Sequence, residues 1–150
     1  MECEIVEKLP SAEEYNHLRQ LVGWDSYALD AIVRALPQTL YCVCARTNGT
    51  VIGMARVIGD GGLVYYVQDV IVHPSYQRQG IGVQMMNRVM AYIGNHASQN
   101  SIIGLMAAHG KESFYEKYGF VRRPTDRLGC GMTRFWQSPY PDQPAMGKEA

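Results

Sequence analysis

Asp69-Val70-Ile71-Val72-His73-Pro74-Ser75-Tyr76-Gln77-Arg78-Gln79-Gly80-Ile81-Gly82 reads as an apolar strand that stops, a loop, and two glycines at the mouth of a helix. Pro74 cannot continue a central strand because it has no N–H to give the ladder. The helix begins near Gly80, with Ile81, Met85, Val89 and Ile93 at i, i+4 spacing and Met86 and Met90 beside them. Glycine lets the backbone approach a ligand closely. The first N–H groups of a helix lack intrahelical acceptors and face positive potential, so the place suits a phosphate. It is not a nucleotide P-loop, because no Gly-Lys-Ser/Thr follows. It is not the dinucleotide fingerprint either, because Met85 stands where the third glycine belongs. On pattern alone, an ordinary glycine-eased helix start explains the stretch almost as well as a phosphate cradle does.

Upstream of it, Ser11 with Glu14 at the capping-box position predicts a helix over 11–21, with Tyr15, Leu18, Leu21 and Val22 on one face. Gly23-Trp24 interrupts it. Asp25 or Ser26 then caps a second helix through Leu36, which Pro37 ends. Tyr41–Arg46 and Val51–Ile58 flank Thr47-Asn48-Gly49-Thr50, and Asn-Gly between apolar runs is a strong hairpin signal. Gly59-Asp60-Gly61-Gly62 makes a second turn into a run from Leu63 to Val72, completing an antiparallel meander. Downstream, Ile102–Ala107 reads as a strand parallel to that run, Lys111–Tyr118 as a short helix, Gly119-Phe120-Val121 as the start of a strand and Met132–Trp136 as the last strand. The order α-α-β-β-β-α-β-α-β is a mixed α/β domain over residues 1–137, with a Pro-rich flexible tail over 138–150.

Composition excludes several classes. With 150 residues, 47% hydrophobic and 19% charged, the chain has a globular balance. No apolar run is long enough to span a bilayer and no secretory signal opens the chain. Fourteen basic and fourteen acidic residues cancel, so there is no net field for nucleic acid, and the small cluster Arg122, Arg123 and Arg127 is most simply solvated surface. Cys3, Cys42, Cys44 and Cys130 form no Cys-x-x-Cys pair, and His17, His73, His96 and His109 are scattered singly, so no metal site is expected. These readings predict a soluble, cytoplasmic, metal-free domain with reduced thiols.

Gln77-Arg78-Gln79-Gly80-Ile81-Gly82 resembles the Q/R-x-x-G-x-G/A signature of the GNAT superfamily of acyl-CoA-dependent N-acetyltransferases. Phe114-Tyr115-Glu116-Lys117-Tyr118-Gly119-Phe120 is similar to the family's second hallmark, F-Y-x-x-x-G-F. Both stand in order and at the usual separation, inside a matching order of elements that covers roughly residues 3–136. The resemblance implies a GNAT fold with acetyl-CoA as cosubstrate and no metal. Its pyrophosphate would lie on the backbone N–H groups of Gln77, Arg78, Gln79, Gly80, Ile81 and Gly82. Its pantetheine arm would pair with the strand carrying Val70, Ile71 and Val72, and Ala108, Lys111 and Phe114 would line the other wall. Burial explains the apolar identity of residues 70–72 equally well.

Acetyl transfer needs a neutral amine, and an alkyl ammonium of pKa ~10.4 is neutral in about one molecule in 10³ at pH 7. The resemblance assigns Tyr115 as general acid. Many relatives carry Glu immediately before the position of Asp69, where this chain has Gln68, an amide that cannot act as a base. Strand alternation puts Tyr66, Gln68 and Val70 on one face and Val67, Asp69 and Ile71 on the other. Gln68 can orient a water or the substrate. Asp69 is the nearest carboxylate, with a buried structural role bonded to backbone amides as its alternative. Deprotonation through water is the expected route. Trp24 and Tyr27, between the first two helices, and Tyr66 are candidate acceptor contacts, with core packing the alternative for Trp24; Arg56 and His109 are candidates without a spacing argument. The reading is direct transfer in a ternary complex, with no cysteine in either hallmark block. Zero net charge favours a small-molecule amine over a protein lysine. A homodimer is compatible with it. A non-catalytic acyl-CoA sensor or interaction module on the same fold is the alternative, favoured by Gln68.

Overall fold

Ser11 opens the first helix as expected. Its hydroxyl accepts from the Glu14 N–H at 3.1 Å while the Glu14 carboxylate accepts from the Ser11 N–H at 2.8 Å. The structure is a computed structural model that describes residues 2–137, so the segment expected to be a flexible tail lies outside the described residues. The chain divides between Leu105 and Met106 into two compact units.

The first unit contains a five-stranded sheet in the order β1 (Glu4–Val6), β2 (Tyr41–Thr47), β3 (Thr50–Gly59), β4 (Val64–Val72) and β5 (Ile102–Gly104). The first three junctions are antiparallel and β4–β5 is parallel, joined through α3 (Ile81–His96). The β2–β3 turn has Asn48 at φ 49° and Gly49 at φ 77°, the left-handed pair that matches strand twist in a two-residue hairpin. In the β3–β4 turn the Asp60 carboxylate accepts from the N–H groups of Gly62, Leu63 and Val64.

Helices α1 (Ala12–Leu21) and α2 (Leu29–Ala35) cover one sheet face, where Tyr15, Leu18, Ile32 and Leu36 pack with Cys42, Cys44, Val51, Met54 and Ile71. Helix α3 buries Ile81, Met85, Met86, Val89 and Ile93, and Tyr92 stacks on Tyr41 of β2 at 4.6 Å between ring centroids. Each fully buried aliphatic side chain contributes about 1.5–3 kcal/mol.

The mixed α/β architecture is as expected, with differences in detail. Strand β1 is additional; three residues are too few to show a period. Helix α2 starts at Leu29, not at Asp25 or Ser26: the Ser26 hydroxyl is taken by the Gln20 amide, and the Asp25 backbone carbonyl accepts from Arg19. Strand β5 stops at Gly104, short of Ala107.

In the second unit, α4 (Glu112–Glu116) ends where Gly119 takes φ 90° and donates its N–H to the Glu116 carbonyl. Phe114 packs edge-on against Tyr115 and Tyr118, and Tyr115 against Phe120. Arg122 is not merely solvated; its guanidinium bonds Ser113 and Glu116 of α4. The strands expected at Gly119-Phe120-Val121 and Met132–Trp136 are not formed. Met132 and Phe135 are 90% and 82% exposed, and β-prone residues make a strand only where a neighbour completes the ladder.

Candidate active site

Strand β4 parts from β5 after the first third of its length. Their pairing runs Val64–Ile102, Tyr65–Ile103 and Tyr66–Gly104 and then ends, while β4 continues six residues to Val72. The splay leaves backbone groups of residues 67–72 on that edge beyond the reach of β5. After Val72, His73 donates its N–H to the Ile52 carbonyl and its ring Nδ1 accepts from the Ser75 N–H. The Gln77 amide returns to the Val72 carbonyl at 3.0 Å, which fixes the start of the loop against the strand end. Arg78 and Gly80 take φ 63° and 82°. The first backbone bond of α3 is Gln84 N–H to Gly80 carbonyl, and Gly80 supplies no side-chain cap. The N–H groups of Ile81, Gly82 and Val83 therefore point out of an open helix end at positive potential.

Between the splay and the loop, β4 is irregular. Met54 pairs with Ile71 but Arg56 pairs with Gln68, so Asp69 and Val70 together oppose Ala55, and Asp69 takes φ 57°. This bulge advances the side-chain phase by one residue. It overturns the expected alternation: Gln68 and Asp69 lie on the same side, toward α1, and the Gln68 amide donates to Asp69 Oδ1 at 3.2 Å. Ile71, which follows Asp69 in phase, packs in the α1-side core.

Asp69 is the centre of a buried network. Its Oδ2 accepts from the Tyr15 hydroxyl at 2.6 Å and from Arg56 Nε at 2.8 Å; its Oδ1 accepts from Arg19 Nη1 and the Gln68 amide, both at 3.2 Å. The expected backbone-amide partners are thus replaced by side chains from α1, β3 and β4. Four donors occupy the lone-pair directions of a carboxylate, which leaves no site for a substrate proton. Burial first, then the charge and hydrogen bond of Asp69, raise the Tyr15 pKa above its ordinary value. Burial alone would lower the Arg56 pKa, but the Asp69 bond and charge outweigh it and the net direction is up.

An open helix end beside a splayed strand suits an extended, phosphate-bearing ligand, and residues 38–122 match the family model described as an acetyltransferase (GNAT) domain. The chain belongs to the GNAT acetyltransferase family. It is an acyltransferase, of a family that uses acetyl-CoA. This GNAT protein is 28% identical over 127 residues to an uncharacterised N-acetyltransferase, ycf52, of Pyropia yezoensis, covering 82% of this chain and 70% of that one. A crystal structure of a Staphylococcus aureus protein described as a probable acetyltransferase superposes with a TM-score of 0.83 at 32% identity, over 90% of this chain and 100% of that one. AAC(6')-Iy, solved with the bisubstrate analogue CoA-S-monomethyl-acetylneamine, shares the fold at a TM-score of 0.63 and 17% identity, over 92% and 99% of the chains.

The remaining site candidates of this GNAT chain fall as follows. Val70 and Val72 are partly buried and Ile71 is in the core. Gln77, Arg78, Gln79 and Gly80 are exposed along the loop. Trp24 packs partly buried against the α1-side core and, like Tyr27, faces the Arg19 guanidinium, at 5.4 Å and 4.5 Å from the ring centroids. Tyr27 is 51% exposed, its backbone held by both amide atoms of Asn16. Tyr66 bridges β3 and β5 through Ile58 and Gly104. In the second unit, Ala108, His109 and Lys111 are exposed, while Phe114 and Tyr115 are partly buried. Burial pushes the Tyr115 pKa up to about 12.

Sequence reasoning missed Arg19 and took Tyr15 as a core residue only. Tyr15, Leu18, Arg19 and Val22 share a helical face, and an arginine within an apolar stripe was the available signal. Among the described residues no cluster of His, Cys, Asp and Glu could hold a metal ion, and no helix is long and apolar enough to cross a membrane.

Proposed function

We propose that this protein transfers the acetyl group of acetyl-CoA to a primary amine of a small molecule, by direct attack within a ternary complex. The observation that carries this reading is the open N-terminus of α3 behind the splayed edge of β4. The N–H groups of the 77–82 loop would receive the pyrophosphate, with charge-assisted bonds contributing about 1.5–3 kcal/mol each. The free edge of residues 70–72 would receive the pantetheine amides. Acetyl-CoA supplies an acyl thioester whose C–S bond breaks as the amine nitrogen bonds to the carbonyl carbon.

Proton movement is assigned by elimination and motif. Gln68 cannot take a proton and Asp69 is saturated, so the amine proton leaves through water. Tyr115 is proposed as the acid for the departing thiolate, on its place in the second hallmark motif and on a pKa that keeps it protonated at neutral pH. The fold relative AAC(6')-Iy, solved with an acetylneamine bisubstrate analogue, supports a small-molecule acceptor. The absence of a carboxylate at position 68 favours one second reading, an acyl-CoA sensor without turnover.

Melting curves with and without saturating acetyl-CoA test the donor site; a ligand at a hundred times its Kd adds about 2.7 kcal/mol, a shift of several degrees. A flat response at millimolar acetyl-CoA would remove both readings. Thiol release with an amine panel separates them, and Tyr115→Phe should lower kcat at least tenfold while leaving the melting shift unchanged.

A further inference from the structure

Two guanidinium groups share one carboxylate in the network around Asp69. The side chains of Arg19 and Arg56 are 10% and 12% exposed and that of Asp69 is 0% exposed, so the cluster holds one unbalanced positive charge with little water to solvate it. Among the described residues no second carboxylate comes within ion-pair distance of either arginine. Arg19 spends Nε on the Asp25 carbonyl and Nη1 on Asp69; Arg56 spends Nε on Asp69 and Nη1 on the Thr39 hydroxyl. Nη2 of Arg19 has no acceptor among the described residues. The rings of Tyr15, Trp24 and Tyr27 lie 4.5–5.8 Å from the Arg19 guanidinium carbon, which offers it aromatic faces but no formal charge.

A buried charge without a counter-charge is costly, and an anionic ligand would supply the missing counter-charge. The cluster sits on the part of β4 beyond its pairing with β5, next to Gln68 and to the edge proposed above for the pantetheine arm. Resting on the acetyltransferase reading above, we infer that the acceptor amine carries its own anionic group, a carboxylate or a phosphate, received by the outer edges of Arg19 and Arg56. Trp24 and Tyr27 border the same guanidinium and suit an apolar or aromatic body on that acceptor. The class is that of amino acids or phosphorylated amines, as opposed to simple alkylamines or polyamines.

The test uses matched probes on the full chain: phenylalanine against phenethylamine, lysine against cadaverine, and phosphoethanolamine against ethanolamine, each read by thiol release from acetyl-CoA and by melting shift with coenzyme A bound. The inference expects at least a tenfold higher kcat/KM for the anionic member of whichever pair turns over, the first two pairs reporting a carboxylate and the third a phosphate. Arg19→Gln should bring that ratio near one, an effect that a general loss of stability would not produce. If coenzyme A shifts the melting point but the neutral members are equal or better, or no anionic member produces turnover or a shift, the inference is overturned and the donor-site reading stands. Failure of coenzyme A itself to shift the melting point would instead overturn the acetyltransferase reading on which the inference rests.

Discussion

Replacing Asp69 by Asn preserves the outline of the side chain while removing its charge, and it turns one acceptor oxygen into a donor facing other donors. Two guanidinium groups would then remain buried without a counter-ion. Breaking a buried ion pair in this way costs about 3–5 kcal/mol, so Asp69→Asn should lower the unfolding free energy in urea by that amount. A loss below 1 kcal/mol would mean the cluster is solvated. At this scale the sequence was only partly legible. Asp69 stood out as the carboxylate nearest Gln68, but its partners include positions 15, 19 and 56, and no local spacing links residues 13 to 54 positions apart. The orientation of its side chain was hidden for a different reason. Alternation assumes a regular ladder, and a single extra residue in β4 reverses it.

Among the elements, the tightest geometric demand lies at the end of β3. Gly59 takes φ 148°, and a Cβ placed there would meet the Val64 carbonyl oxygen at 2.1 Å, a backbone atom that cannot move without parting β3 from β4. Gly59→Ala should therefore destabilise strongly, by about 3 kcal/mol or more, measurable as a lower urea midpoint with an unchanged slope. The turn signals at Asn48-Gly49 and Gly59-Asp60-Gly61-Gly62 were legible because they depend on local backbone chemistry. So were α1, through its capping box, and α3, through its four-residue spacing. The start of α2 was not, since the segment before it is tied back to α1 through the Asp25 carbonyl and the Ser26 hydroxyl. The short reach of β5 was also illegible; apolar residues continue to Ala107, and only the splay of β4 explains why pairing ends at Gly104.

For the whole molecule, equal numbers of acidic and basic residues leave the pH response to individual buried groups. Tyr15 is raised above the ordinary phenol value in the folded state. The unfolded chain therefore loses this proton first as pH rises, beginning near pH 10, while the folded chain keeps it. Its contribution to stability is fully present below pH 10 and is lost as pH climbs through the folded pKa, with a slope of up to about 1.4 kcal/mol per pH unit. Urea unfolding at pH 8 and pH 11 should show the decline, and Tyr15→Phe should flatten it. The network also constrains how this chain can diverge. Asp69 is tied to Tyr15 and Arg19 on α1, to Arg56 on β3 and to its neighbour Gln68, so no member can be exchanged without stranding another. Compensated multiple changes are the accessible steps, for instance loss of Asp69 together with both arginines. Directed evolution toward new acceptors would then be strongly epistatic around residue 69, and more permissive at the exposed Tyr27, where one ring can change without disturbing the charge balance beneath it.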